Sequence, residues 1–153
     1  MLFKLSRAVV ATTLGVLLAC AIGIAAACAG KQRPDPAKSQ EILALWGQIR
    51  QWRVEGGMGA EPHSSTMMQM TKQTVKQAGA ACPEGHNVPT SCNDVCNLAD
   101  AICDNAERIC IIADDLDTAW AADKCTSAKA SCREAKQRCC KCSETDSKAS
   151  IKW

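Results

Sequence analysis

The chain has 153 residues and a mass of 16.3 kDa, enough for one small domain, and it contains 12 cysteines, one phenylalanine and no tyrosine. With so few large side chains to bury, the core needs covalent cross-links. A net charge of +2, from 18 basic and 16 acidic residues, excludes the concentrated basic surface that nucleic-acid binding requires, so no nucleic-acid partner is expected.

The N-terminus has the pattern of an export signal. Lys4 and Arg7 precede an uncharged run from Ala8 to Ala29, which is long enough to span a membrane if it is not cleaved. Small residues at the end of the run favour cleavage. The chain is therefore predicted to leave the cytoplasm.

The end of this run also carries a lipidation motif. Ala25-Ala26-Ala27-Cys28-Ala29-Gly30 resembles the lipobox of bacterial lipoprotein precursors, in which the cysteine is lipidated and becomes the mature N-terminus. Leu17-Leu18-Ala19-Cys20 is similar, so Cys20 is the alternative site. Position favours Cys28, because a polar segment follows it directly, whereas cleavage before Cys20 leaves an apolar stub.

The resemblance implies a signal peptide at 1–27, a lipidated N-terminus and tether at 28–38, and palmitate on Cys28. The protein is then anchored in a membrane of the cell envelope and faces the periplasm or the exterior. Ordinary signal-peptidase cleavage before Gly30 is the other interpretation, and it gives a soluble secreted protein.

Two amphipathic helices are predicted in the segment 39–80. The first has Asp35 as its N-cap, Pro36 at its first position and an end near Val54; its apolar residues recur at helical spacing and are Ile42, Leu45, Trp46, Ile49 and Trp52. The second follows Ser64 and ends before Gly79. Trp46 and Trp52 are expected to cover the rest of the domain, with an exposed aromatic anchor for a partner as the alternative.

The segment 81–142 is predicted to be a cysteine-rich helical hairpin, followed by a flexible tail at 143–153. Residues 82–89 are rich in turn formers, and Ser91 to Asp94 has the spacing of a capping box. No segment alternates as a strand does. The fold class is therefore predicted to be all-α, a small domain of about four helices.

Cysteine spacing carries the prediction of the hairpin. Two trios recur every seven residues, so each forms one stripe on a helix. Asp114 to Thr118 is a turn, with Asp117 as N-cap of the next helix, and so short a connection makes the two helices antiparallel. Facing cysteines should lie at equal distances from the turn, which gives the disulfides Cys96–Cys139, Cys103–Cys132 and Cys110–Cys125.

Four cysteines then remain at the open end of the hairpin. We expect Cys92 to pair with Cys142 and Cys82 with Cys140, and other pairings of these four stay open. Export to an oxidising compartment makes disulfides the expected state. The charges agree with two facing helices, since 94–117 holds seven acidic residues and one arginine, whereas 118–142 holds six basic and two acidic residues.

This segment is similar to α-hairpinin peptides and to twin-cysteine helical hairpin proteins, in which disulfides join two antiparallel helices. Those families place two cysteines on each helix, and here three recur, so the resemblance implies the architecture alone. The mature chain as a whole resembles cysteine-rich bacterial lipoproteins. That resemblance implies a membrane location and a structural or binding role, with an envelope protein as a candidate partner.

The alternative function is binding or storage of Cu(I) or Zn(II). Bacterial copper storage proteins resemble this chain in being exported helical bundles lined with cysteine, and thiolates select soft metals. Thioether and imidazole ligands are offered by Met58, His63, Met67, Met68 and Met70. Against this interpretation, the first two predicted helices contain no cysteine, and core packing is the favoured role for the methionines.

No enzyme is predicted. Cys139-Cys140-Lys141-Cys142 is not the Cys-x-x-Cys of thiol oxidoreductases, and two histidines without a coherent acid pair offer no general acid or base. His86 follows Cys82 by four residues, but a loop histidine is favoured there over a zinc ligand. We therefore expect no catalytic residue, no metal site and no cofactor.

Overall fold

A computed structural model describes residues 35–83 and 89–142. The described residues form five α-helices and no strand, which confirms the all-α fold class, and no helix among them is both long and apolar enough to cross a membrane. The predicted signal peptide, most of the tether and the C-terminal tail lie outside these ranges. The helices are α1 Pro36–Glu55, α2 Ser64–Met70, α3 Val75–Gly79, α4 Asn93–Leu116 and α5 Ala119–Lys141, with a 3-10 turn at Thr90–Cys92.

The first helix, α1, begins where its capping signals stand. The Asp35 side chain accepts a hydrogen bond from the Ala37 amide at 2.9 Å, and Pro36 occupies the first turn, where no intrahelical N–H is needed. The helix thus starts at Pro36, as the predicted cap indicates, so its first residues fall within the segment 28–38 assigned to the tether. It ends at Gly56 and Gly57, and Gly57 has a φ of 71°, which favours glycine.

The prediction of one continuous second helix is wrong, and this is why five helices are present instead of about four. The helix α2 ends at Met70, and a new helix, α3, begins after its N-cap Thr74. Thr74 forms a capping box with Gln77. The Thr74 hydroxyl accepts from the Gln77 amide at 3.2 Å, and the Gln77 side chain accepts from the Thr74 amide at 2.8 Å. These local bonds compete with a continuous helix and favour the break.

Two predicted helix caps also differ from the structure. Ser91 lies in the 3-10 turn, and α4 follows Cys92, whose side chain makes no capping bond and is fully buried. Asp117 is not the N-cap of α5: it closes α4 in the left-handed conformation, with φ at 45°, which aspartate tolerates better than most residues. Thr118 is the N-cap, and its hydroxyl accepts from the Ala121 amide at 3.2 Å.

The core lies between the α4–α5 hairpin and α1, which covers one side of it. α1 runs antiparallel to α4. Lys38, at the start of α1, contacts Asp115 near the hairpin tip, and Gly56, which follows the end of α1, lies near Leu98 at the start of α4. Trp46 is 5% exposed and Trp52 packs against the core, as predicted for both. The largest fully buried aliphatic side chains are Ile42, Ile49, Ile102 and Ile109.

Candidate functional site

Three disulfides join α4 and α5 as a ladder, as the spacing predicts. The Cα–Cα distances are 4.9 Å for Cys96–Cys139, 4.6 Å for Cys103–Cys132 and 4.6 Å for Cys110–Cys125. They lie in the lower half of the range found in disulfides, so the two helices approach closely. Buried alanines beside the bonds permit this approach, and they are Ala99, Ala106, Ala113, Ala128 and Ala135.

Two further disulfides close the open end of the hairpin. Cys82–Cys140 has a Cα–Cα distance of 5.4 Å and Cys92–Cys142 one of 6.0 Å, and both are the pairs favoured on sequence grounds. The first ties the chain after α3 to the end of α5, and the second ties the 3-10 turn to the residue that follows α5. Each therefore fixes an irregular segment to the ladder.

The cysteines among the metal-ligand candidates are paired with one another in disulfides. All ten cysteines of the described ranges are in disulfides, and no group of three or more His, Cys, Asp or Glu side chains with metal-site geometry occurs there. Met70 is buried and Met58 and Met67 pack against the core, as favoured on sequence grounds, whereas Met68 is 79% exposed. His86 lies outside the described residues, and so do the lipidation candidates Cys20 and Cys28.

The acidic α4 and the basic α5 form fewer ion pairs with each other than their charges suggest. Lys136 of α5 contacts Asp100 of α4, and this is the one ion pair between the two helices in the described ranges. Other charges of α4 pair with α1 instead: Arg108 with Glu41 at 2.8 Å, and Asp115 with Lys38 at 3.2 Å. The hydrogen bond from Arg108 to Glu41 raises the pKa of the arginine.

A buried ion pair that no pattern in the sequence predicts holds α1 to α5. The Arg53 side chain is 1% exposed, and its Nη2 donates to Glu134 Oε2 at 2.8 Å. The same guanidinium donates to the carbonyls of Gly59 and Glu61, and Glu134 Oε1 accepts from the His63 amide at 2.8 Å. This network fixes the connection between α1 and α2, although Arg53 Nη1 has no hydrogen-bond partner in the described ranges.

A cavity of about 300 Å³ lies between the hairpin tip and the end of α2. Its lining includes Cys125 and the acidic Asp114, together with Lys129, which is only 8% exposed. Burial lowers the pKa of Lys129, and the Asp114 charge partly opposes this effect. The Lys129 ammonium donates to the Gln73 carbonyl at 2.9 Å, so this lysine holds the α2–α3 connection against α5.

The comparisons with known proteins give no assignment. No protein-family model, curated protein sequence or solved structure matches this chain. Its function must therefore be argued from the disulfides, the buried contacts and the sequence of the N-terminus.

Proposed function

We propose that the protein is an exported cell-envelope lipoprotein, anchored to a membrane at Cys28, whose domain is a disulfide-linked scaffold with a structural or binding role. The observation that carries the proposal is the pairing of all ten cysteines in the described ranges. Structural disulfides persist in oxidising compartments outside the cytoplasm. The signal-like run that ends at Cys28 supports the same compartment.

The composition of the core supports a scaffold. Apart from five isoleucines, Trp46 and Met70, its buried apolar side chains are alanine and cysteine, which bury little area each. The disulfides span 15 to 58 residues of chain, and each contributes about 2–4 kcal/mol, mainly by restricting the unfolded state. A rigid small domain of this kind suits recognition or spacing at a membrane surface.

Metabolic labelling with palmitate in the native host tests the anchor. Wild type and Cys20→Ser are expected to incorporate the label and to fractionate with membranes. Cys28→Ser is expected to lose the label completely. Label that persists in Cys28→Ser and disappears in Cys20→Ser would move the anchor to the alternative site, and absence of label in the wild type would leave only a secreted scaffold.

Thiol counting tests the scaffold against the copper-binding alternative. Protein taken from the native envelope without reductant should contain almost no free thiols and no stoichiometric copper or zinc. Peptide mapping should recover Cys103 linked to Cys132, the central rung of the ladder. Mostly reduced cysteines with bound copper would overturn the scaffold and support a store for soft metals.

A further inference from the structure

The outward face of α1 carries an uncharged stripe that no other described element covers. Six exposed, uncharged residues follow one another at alternating spacings of three and four positions, so they occupy the a and d positions of a heptad. Val54 is 56% exposed, and Leu43 beside the stripe is 53% exposed. We call these six residues the α1 seam, and they are Ala37, Gln40, Ala44, Gly47, Gln51 and Val54.

Gly47 stands at the centre of the α1 seam without a reason inside the chain. Glycine within a helix costs about 1 kcal/mol relative to alanine. A Cβ added at Gly47 would meet no atom within 4 Å, so packing within this molecule does not require glycine there. A helix of another molecule could pack closely against α1 at this point, because the small side chains of Ala44 and Gly47 let two backbones approach each other.

We propose that the α1 seam binds a second copy of this chain, with the two α1 helices parallel and in register. In the heptad, Arg50 lies at the position before Gln51 and Glu55 at the position after Val54. Such positions meet across a parallel pair, so Arg50 of each copy faces Glu55 of the other. An antiparallel pair would instead bring Glu41 towards Glu55, two like charges.

Arg50 and Glu55 can exchange their partners within the chain for partners on a second copy. Arg50 contacts Glu61 at 2.8 Å, but the two side chains are 50% and 60% exposed, and exposed pairs contribute little. Glu55 accepts a hydrogen bond from Gln51, also on the surface. In the parallel dimer Gln51 would face Gln51 and Gln40 would face Gln40, so each amide would have a hydrogen-bonding partner on the other copy when the two helices are in register.

The parallel direction also places the N-terminal ends of both α1 helices on the same side of the dimer. Two chains anchored in one membrane by residues upstream of α1 meet this condition, and confinement to a surface raises their effective concentration. The dimer itself does not depend on the anchor, because it rests on the α1 seam alone. Loss of palmitate and loss of the dimer are therefore separate results.

Site-directed cross-linking of the full chain, purified in detergent with its disulfides intact, tests the proposal. Gln40→Cys and Val54→Cys place one thiol near each end of the α1 seam, and Ile111→Cys is the matched control on the exposed face of α4. Treatment with a short bismaleimide should convert both seam variants to covalent dimers at least tenfold more than the control or the wild type. Adding Gly47→Glu should abolish the cross-link while leaving the helical circular dichroism unchanged, because the Gly47 position opens to solvent.

Each of the other possible outcomes contradicts one part of the proposal. If neither seam variant exceeds Ile111→Cys, α1 does not bind a second copy. A third variant, Gly47→Cys, places the thiol at the centre of the α1 seam. If it cross-links and the two end variants do not, the helices are antiparallel. If Gly47→Glu leaves the cross-links intact, the copies meet on another surface.

Discussion

Arg53 shows how one buried charge organises a connection. Its side chain lies in the interior because Glu134 supplies the opposite charge and two backbone carbonyls accept further hydrogen bonds from its guanidinium. Such a pair gives little net stability over an apolar alternative, but the removal of one partner leaves the other buried and uncompensated. The pair therefore matters most when it is broken.

Glu134→Gln tests this asymmetry. The amide keeps the shape of the carboxylate but removes the charge that compensates Arg53, so we expect the free energy of unfolding to fall by about 3–5 kcal/mol. Guanidinium titration followed by circular dichroism measures it. Glu41→Gln is the matched control, because it removes the carboxylate from an exposed pair with Arg108, and its effect should be much smaller. Equal effects of the two substitutions would contradict the buried role of Glu134.

Lys129 gives a pH-dependent prediction at the same scale. Burial lowers its pKa below the ordinary 10.5, so between the lowered value and 10.5 the unfolded chain binds more protons than the folded chain. The free energy of unfolding should therefore rise with pH across that window, and Lys129→Met should lack this rise. Denaturation at a series of alkaline pH values measures the free energy of unfolding of both proteins. With rising pH, the value for the wild type should increase relative to that for Lys129→Met. A difference that stays constant with pH would show that the ammonium is not desolvated.

At the scale of elements, what the sequence predicts depends on how far apart the interacting residues lie. The heptad spacing of Cys96 to Cys110 predicts the ladder because a helix repeats its faces at fixed intervals. The break before α3 and the cap of α5 depend on individual hydrogen bonds between a side chain and the backbone, and several neighbouring residues could make such bonds. Arg53 and Glu134 are 81 positions apart, and no local pattern connects them.

Two threonines of α5 should respond in opposite ways to the same substitution. Thr118 caps the helix, so Thr118→Ala should lower the free energy of unfolding by about 1 kcal/mol. Thr126 lies inside the helix and donates to the Ala122 carbonyl, which has its own helical role, so Thr126→Ala should leave stability unchanged or raise it slightly. Thermal unfolding of both variants measures the contrast. A comparable loss in Thr126→Ala would contradict the assignment of Thr118 as the cap.

At the scale of the whole molecule, the helices α2 and α3 have little means of folding alone. They contain seven and five residues, below the length at which isolated helices are stable in water. Their contacts are mainly with α5. The helix α2 lies beside the hairpin tip, and α3 lies near the central rung, where a Cβ added at Gly79 would be 4.0 Å from the Cys132 sulfur. The short helices are therefore expected to depend on the ladder.

Reduction should consequently unfold the entire domain. Five disulfides at about 2–4 kcal/mol each would sum to about 10–20 kcal/mol if they were additive, which is comparable to the whole 5–15 kcal/mol by which small domains are usually stable. After treatment with a phosphine reductant, and alkylation that confirms ten free thiols in 82–142, we expect loss of the cooperative thermal transition and of most helical circular dichroism at 25 °C. The matched control is protein alkylated without reduction, which should retain both signals. A reduced protein that still melts cooperatively would show that the alanine-rich core and α1 suffice, and that the disulfides serve a purpose other than stability.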